Sequence, residues 1–142
     1  MNALNGAVSG GPVRPVVNRD SAYFWEGTRV GELRIQRCAA CGVLRHPPGP
    51  SCPACGAFDR EYVVASGRAT VFSFTVHHAP PLPGKVLPLT IAVLNLEEGV
   101  RMVAELTGDA EELAGLAIGD AVTVEWNVID DDLTLPIWRR TA

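Results

Sequence analysis

Apolar and polar residues alternate along the second half of the chain with the two-residue period of β-strands. Residues 69–78 read ATVFSFTVHH, which places Phe72, Phe74 and Val76 on one face and Ser73 and Thr75 on the other. Four further segments are bounded by glycine, proline or acidic turn residues in the same way: LTIAVLNL (89–96), VRMVAEL (100–106), AVTVEWNV (121–128) and LTLPIW (133–138). The pattern predicts five strands, and the near-continuous apolarity of residues 89–96 predicts burial on both faces.

The connections between these segments predict how the strands are arranged. The acidic turn 97–99, which ends in glycine, joins the second and third strands as a hairpin. Asp109 and Glu112 have the D-x-x-E spacing of a capping box, which predicts a short helix before the fourth strand. Pro136 favours an edge position for the last strand. Three strands, a helix and two further strands are the order of an OB-fold, a small five-stranded barrel.

The N-terminal part lacks this alternation. Residues 1–18 are rich in glycine, proline and small residues, which predicts a flexible leader or an inter-domain linker. Ser21 is a candidate N-cap for a short helix that Gly27 and Gly31 would end. Phe24 and Trp25 either pack this helix onto the rest of the chain or form an exposed face that binds a partner. We therefore expect a leader (1–18), a helix with a four-cysteine ribbon (19–58) and a barrel (59–142).

The four cysteines form two C-x-x-C pairs, Cys38 with Cys41 and Cys52 with Cys55, separated by ten residues. A glycine follows each pair, and its access to positive φ lets the chain turn back so that backbone N–H groups face the sulfurs. Two such turns supply four thiolates in a tetrahedron, which is a closed structural zinc site. Iron also binds to similar four-thiolate turns, so the sequence cannot distinguish the two metals, and zinc is the metal that we expect.

Other uses of the cysteines fit the sequence less well. Disulfides require an oxidising compartment, and no secretory leader is recognisable, so we expect reduced cysteines and a cytoplasmic location. A redox C-x-x-C normally occurs singly within a βαβ pattern, which is missing here. No apolar run approaches the ~20 residues of a membrane span, so we expect no association with a membrane.

Charge is distributed unevenly along the chain, whose net charge is −4. Residues 1–55 contain six arginines against three acidic residues, whereas residues 56–142 contain six basic against thirteen acidic residues, a net charge of −7. OB-folds that bind single-stranded nucleic acid use aromatic side chains in a basic groove, so this charge disfavours nucleic-acid binding, which stays the alternative function. The sequence has no nucleophile elbow, P-loop or dinucleotide fingerprint, and its cysteines are assigned to the metal. We expect that the chain alone is not an enzyme.

Helix, ribbon and barrel in this order resemble a known family, the proteins with a rubredoxin-like zinc ribbon and an OB-fold catalogued as domain of unknown function thirty-five. The resemblance covers about residues 20–140. The segments that carry it are FWEG (24–27), LRIQRCAACG (33–42), the proline run with CPACG (47–56), SGRATVFSFTV (66–76), EGVRMVAEL (98–106), IGDAVTVEW (118–126) and TLPIWR (134–139).

The resemblance implies a partnership rather than a chemistry. Members of the family are accessory subunits of thiolase-like enzymes, including thiolases, hydroxymethylglutaryl-CoA synthases and aldolases of bacterial steroid side-chain breakdown, and some help to shape the coenzyme A site. By resemblance, this chain is a non-catalytic accessory subunit that meets acyl-CoA through its complex with such an enzyme. Arg34, Arg37 and Arg45 are candidates for contact with the phosphates of coenzyme A, unless they only solvate the ribbon.

Overall fold

The computed structural model describes residues 11–141, so residues 1–10 of the predicted leader lie outside the described part of the chain. Its elements are α1 (Ala22–Arg29), β1 (Arg34–Cys38), β2 (Leu44–Arg45), β3 (Arg60–Val64), β4 (Arg68–His77), β5 (Leu89–Leu96), β6 (Arg101–Thr107), β7 (Ala121–Val128) and β8 (Thr134–Arg140). Strands β4 to β8 are the five predicted from alternation. Among the described residues, no helix is long and apolar enough to cross a membrane.

Strands β4 to β8 form a closed barrel in the order β4-β5-β6-β8-β7, which is the strand order of an OB-fold. The barrel closes where β6 pairs in parallel with β8, and this pairing is limited to Leu106 with Trp138 and Thr107 with Arg139. The edge position predicted for the last strand is therefore wrong. Strand β8 has neighbours on both sides, since it pairs with β7 over its whole length and with β6 at Trp138 and Arg139. The prediction holds locally, since Pro136 lies where β8 has no partner on its β6 side.

A β-bulge in β4 divides residues that the alternation placed on one face. The pairing register with β5 shifts between Val71 and Ser73, which leaves Phe72 as the extra residue. Val71 is buried, whereas Phe72 is 41% exposed on the barrel surface, and Phe74 and Val76 are each 39% exposed along a surface cavity. The prediction that Phe72, Phe74 and Val76 share one face of the strand is therefore wrong.

The helix predicted between β6 and β7 is replaced by turns over residues 110–115. The capping box itself forms, because the Glu112 N–H donates to the Asp109 carboxylate and the Asp109 N–H donates to the Glu112 carboxylate, both at 2.8 Å. Gly115 has a φ of +73°, which ends the segment before a second helical turn can form. Leu113 and Leu116 of this segment are partly buried and pack against the core.

The short helix α1 forms as predicted, but with a different start and end. Ser21 occupies the N-cap position without a side-chain cap, and the Asn18 side-chain oxygen accepts the Ser21 N–H at 3.0 Å instead. Gly27 lies inside the helix, where an added Cβ would be 2.6 Å from Cδ of Arg34 and 2.8 Å from a backbone oxygen. Gly27 therefore allows the chain before β1 to approach the helix, and only Gly31, with a φ of +76°, follows the helix end.

The ribbon strands form a three-stranded antiparallel sheet in the order β2-β1-β3. Strand β3 was not predicted, and it begins just after the predicted boundary at residue 59. Phe24 of α1 and Leu33 and Ile35 at β1 belong to the same hydrophobic core as Leu94 and Trp138 of the barrel, both of which are fully buried. The helix, the ribbon and the barrel thus pack around one core.

Candidate metal centre and the adjacent groove

The structure brings the four predicted cysteines together at one end of the ribbon. All four sulfur atoms lie within 4.8 Å of one another, and the Sγ atoms of Cys38 and Cys55 are 3.6 Å apart, as are those of Cys41 and Cys52. A tetrahedron with Zn–S bonds of about 2.3 Å has sulfur atoms about 3.8 Å apart. The donor set and its spacing therefore fit one tetrahedrally bound metal ion.

The two cysteine turns have the same backbone geometry. Gly42 donates its N–H to Cys38 O at 2.9 Å and Gly56 donates to Cys52 O at 2.8 Å, with φ values of +79° and +78°. This is the positive φ that the sequence assigned to these glycines, and it closes each turn so that both cysteines point to one side.

Backbone amides stabilise the thiolate form at the two more buried cysteines. The Cys41 N–H lies 3.5 Å from Cys38 Sγ, and the Ala54 N–H lies 3.4 Å from Cys52 Sγ. The backbone N–H groups of Cys55 and Ala54 lower the pKa of Cys52 to about 6. Because a metal binds the thiolate and not the thiol, these amides prepare the site for the ion.

The segment between the cysteine pairs is fixed by buried hydrogen bonds. The side chain of Gln36 donates to Gly49 O at 3.1 Å and accepts the Gly49 N–H at 2.9 Å. Arg60 of β3 donates to the same Gly49 oxygen at 3.0 Å, and Arg45 donates to Ser51 O at 2.6 Å. The proline-containing insert is therefore held in one position between β1, β3 and the metal turns.

The three arginines proposed for contact with coenzyme A all have partners inside the chain. Arg34 donates to Glu32 at 2.7 Å and lies 4.6 Å from the ring centroid of Tyr62, while Arg45 is held by the insert. Arg37 lies 3.5 Å from Glu61 and is the most exposed of the three. Each of these guanidinium groups therefore has a different partner, and their role towards coenzyme A stays a prediction.

The predicted aromatic pair divides between core and surface. Phe24 is 6% exposed and belongs to the core, as the packing interpretation expects. Trp25 packs edge-on against it, with ring centroids 5.0 Å apart, and is only partly buried. A role in partner binding stays a prediction, and the exposure of Trp25 makes this residue its main candidate.

Trp25 lines a groove that the sequence did not reveal. A cavity of about 360 Å³ lies between α1, the ribbon insert at residues 46–48, and the part of the barrel where β6 and β8 diverge. Its walls are largely apolar and include Trp25, Met102, Val103, Leu135 and Ile137. The one sequence signal for this opening was the proline in β8, which indicates a strand side without a backbone partner.

His46 closes one side of this groove and is not arranged for acid–base chemistry. Its ring lies 5.4 Å from that of Phe24, its Nδ1 is buried without a hydrogen-bond partner, and burial lowers its pKa to about 4. Nε2 of His77 lies 2.8 Å from Pro80 O. Neither imidazole is hydrogen-bonded to a carboxylate among the described residues.

A four-cysteine metal ribbon joined to an OB-fold barrel is the class of protein that this fold and site define. Residues 25–60 match the family described as the ChsH2 rubredoxin-like zinc ribbon domain, and residues 62–127 match the ChsH2 C-terminal OB-fold domain. A solved structure titled "Ltp2-ChsH2(DUF35) aldolase" contains a chain that is 45% identical, with a TM-score of 0.83 over 91% of this chain and 100% of that one. The chain belongs to the ChsH2-type DUF35 family.

Curated relatives carry related names. The chain is 53% identical over 130 residues to the 3-oxo-4,17-pregnadiene-20-carboxyl-CoA hydratase alpha subunit of Mycobacterium tuberculosis, and 46% identical over 126 residues to a probable enoyl-CoA hydratase alpha subunit of Thermomonospora curvata. These matches cover 92% and 89% of this chain but 39% of each relative, so the chain spans about two fifths of their length. It is also 31% identical, over 56% of its length and 55% of the relative, to the benzoylsuccinyl-CoA thiolase subunit BbsA of Thauera aromatica.

Proposed function

We propose that this chain is a non-catalytic accessory subunit that binds a thiolase-superfamily enzyme and helps to shape its acyl-CoA site. The observation that carries the proposal is the likeness to the chain from the Ltp2-ChsH2(DUF35) aldolase, which this chain covers completely at 45% identity. The match to a thiolase subunit supports the same class of partner, and the names of the three curated relatives described above refer to CoA thioesters.

The arrangement of reactive side chains supports a binding role. All four cysteines lie in the metal cluster, and two of the three histidines are buried or bound to a backbone oxygen. The groove beside Trp25, in contrast, presents apolar side chains to solvent. Aromatic anchors at apolar grooves dominate the energy of protein interfaces, so this surface suits a subunit that works by association.

We further propose that the bound metal is zinc. The four thiolates fill a tetrahedron, which leaves no position for water or substrate, so the ion would supply folding free energy and not Lewis-acid chemistry. Metal analysis of the purified protein should find about one zinc per chain, and one iron per chain would contradict the assignment. Such a reduced thiolate site also suits the cytoplasm, where we expect the protein to occur.

The experiment that tests the proposed function is affinity purification of the tagged chain from a nuclease-treated native lysate. We expect a thiolase-like enzyme in near-stoichiometric amount, identified by mass spectrometry. The lysate of a strain with the untagged chain serves as the control. A preparation that contains no thiolase relative contradicts the proposal, and binding that nuclease abolishes would favour the nucleic-acid alternative.

A further inference from the structure

We propose that the open edge of β6 in the groove binds an extended peptide segment of the thiolase-like partner as an additional strand. The inference rests on the proposed function, because it names the surface and the kind of segment by which that partner is held. Addition of a strand to an exposed sheet edge is a general mode of peptide recognition, in which backbone hydrogen bonds supply affinity.

The backbone of β6 has a free edge inside the groove. Leu96 donates its N–H to Val100 O at 2.8 Å, and because backbone groups alternate in direction along an antiparallel ladder, those of Val103 point away from β5. On that side β6 meets β8 only from Leu106 onward. By this alternation, the N–H and C=O groups of Val103 face the groove, at a level where β8 has no residue in register with β6.

The facing strand cannot close this gap. Ile129 donates its N–H to Leu133 O at 2.9 Å, so by the same alternation Thr134 and Pro136 direct their backbone towards the groove. Pro136 has no N–H to donate. The two strands therefore stay apart over Met102–Glu105 and Leu135–Ile137, and the cavity of about 360 Å³ occupies this space.

The side chains around the free edge favour an apolar occupant. Val103 is 70% exposed, and Trp25, Leu135 and Ile137 border the same cavity. A strand laid on β6 would cover this apolar surface and pair the backbone groups of Val103 at the same time. Burial of the apolar surface is favourable, and the added strand keeps the backbone groups of Val103 hydrogen-bonded once water is excluded from the groove.

Charges near the groove specify the flanks of the occupant. The exposed Asp131 and Asp132 lie in the turn before β8, separated from the strand by Leu133, and the exposed Glu26 follows Trp25 on α1. Glu105 in the groove is already neutralised by Lys85 at 2.6 Å. With a net charge of −4 on the chain, the complementary occupant is an apolar extended segment with basic residues at its flanks, whereas a second copy of this chain would be repelled.

The test compares two substitutions of one residue against a purified thiolase-like aldolase of the Ltp2 type. Val103→Pro removes the free N–H without removing a hydrogen bond of the barrel, whereas Val103→Ala keeps that N–H and serves as the matched control. We expect Kd to rise about tenfold or more for Val103→Pro and less than about threefold for Val103→Ala. An unchanged Tm shows that each variant folds.

Amide hydrogen exchange of the wild-type chain gives a second readout that needs no variant. The amide of Val103 should exchange fast in the free chain and slowly in the complex. Equal affinity of Val103→Pro and the wild type, together with unchanged exchange at Val103, overturns this inference and leaves the proposed function intact. A wild-type chain that does not bind the aldolase defeats the proposed function and this inference together. If the amide of Val103 exchanges slowly because the chain associates with itself, the edge binds a second copy and the inference of a partner segment is wrong.

Discussion

Loss of one metal ligand, in Cys52→Ser, is expected to unfold the ribbon and to weaken the barrel without unfolding it. Cys52 is 7% exposed, and its sulfur is 3.6 Å from that of Cys41. Structural zinc contributes about 10–16 kcal/mol to the folding of small zinc-finger peptides. This exceeds the total stability of many domains, about 5–15 kcal/mol, so the ribbon should not persist without its metal.

The shared core determines the effect on the barrel. Phe24, Leu33 and Ile35 are buried in the same cluster as the barrel residues, and burial of each such side chain is worth about 1.5–3 kcal/mol. If about half of this burial depends on the barrel side, a disordered ribbon costs the barrel about 2–4 kcal/mol. For a domain of this size, such a loss lowers Tm by roughly 10–25 °C.

Metal analysis, circular dichroism and amide exchange resolved to peptides would measure these effects separately. The control is Ala54→Ser, which adds a hydroxyl group at an exposed position between two ligands and should keep the metal. Stoichiometric metal and slow exchange at residues 34–64 in Cys52→Ser would refute the ligand assignment. Complete unfolding of the barrel at 25 °C would refute its independence from the ribbon.

Three further changes separate packing, protonation and binding. Gly27→Ala should lower the unfolding free energy by about 1–2 kcal/mol in denaturant titrations, despite the better helix propensity of alanine. The control Glu26→Ala should not lower it. A Gly27→Ala variant more stable than the wild type would contradict the close contact. Burial lowers the pKa of His46 to about 4 from 6.5, so the free energy of unfolding falls as pH falls from 6.5 to 4. Between pH 7.5 and 6.0 this loss should be about 0.8 kcal/mol, and it should be absent in His46→Phe. An equal pH dependence of stability in both proteins would contradict the prediction. Phe24→Ala should cost about 3–5 kcal/mol of stability, because its side chain is in the core. Trp25→Ala truncates a partly buried side chain that packs against Phe24, so it should cost less stability than Phe24→Ala but weaken partner binding about tenfold or more. The reverse pattern would contradict their assignment to core and groove.

The parts of the fold that the sequence predicted have local causes. The five barrel strands show a two-residue alternation because each has one face more buried than the other, and this pattern is contained in six to ten consecutive residues. The metal turns could also be predicted from a local pattern, because the residue after each C-x-x-C pair adopts a positive φ that favours glycine, at Gly42 and Gly56.

The parts that the sequence missed depend on contacts between distant segments. The bulge at Phe72 is set by its register with β5, and β3 is a strand because it pairs with β1, some 26 residues earlier. The sequence predicts a helix end at Gly27, whereas in the structure this glycine allows a close approach to Arg34. The groove exists because β6 and β8 pair over two residues only, and the sole local signal of this limited pairing is Pro136 in β8.

If the chain works by binding a thiolase-like enzyme, light scattering coupled to size-exclusion chromatography of the purified pair will detect the complex. The chain and an Ltp2-type aldolase are mixed at equal subunit concentrations. The number of chains in the complex is the mass added to the aldolase divided by the chain's mass of 15.1 kDa. We predict one peak that contains both proteins at a mass equal to the aldolase plus an integral number of chains. Two peaks at the separate masses of the two proteins would contradict the account.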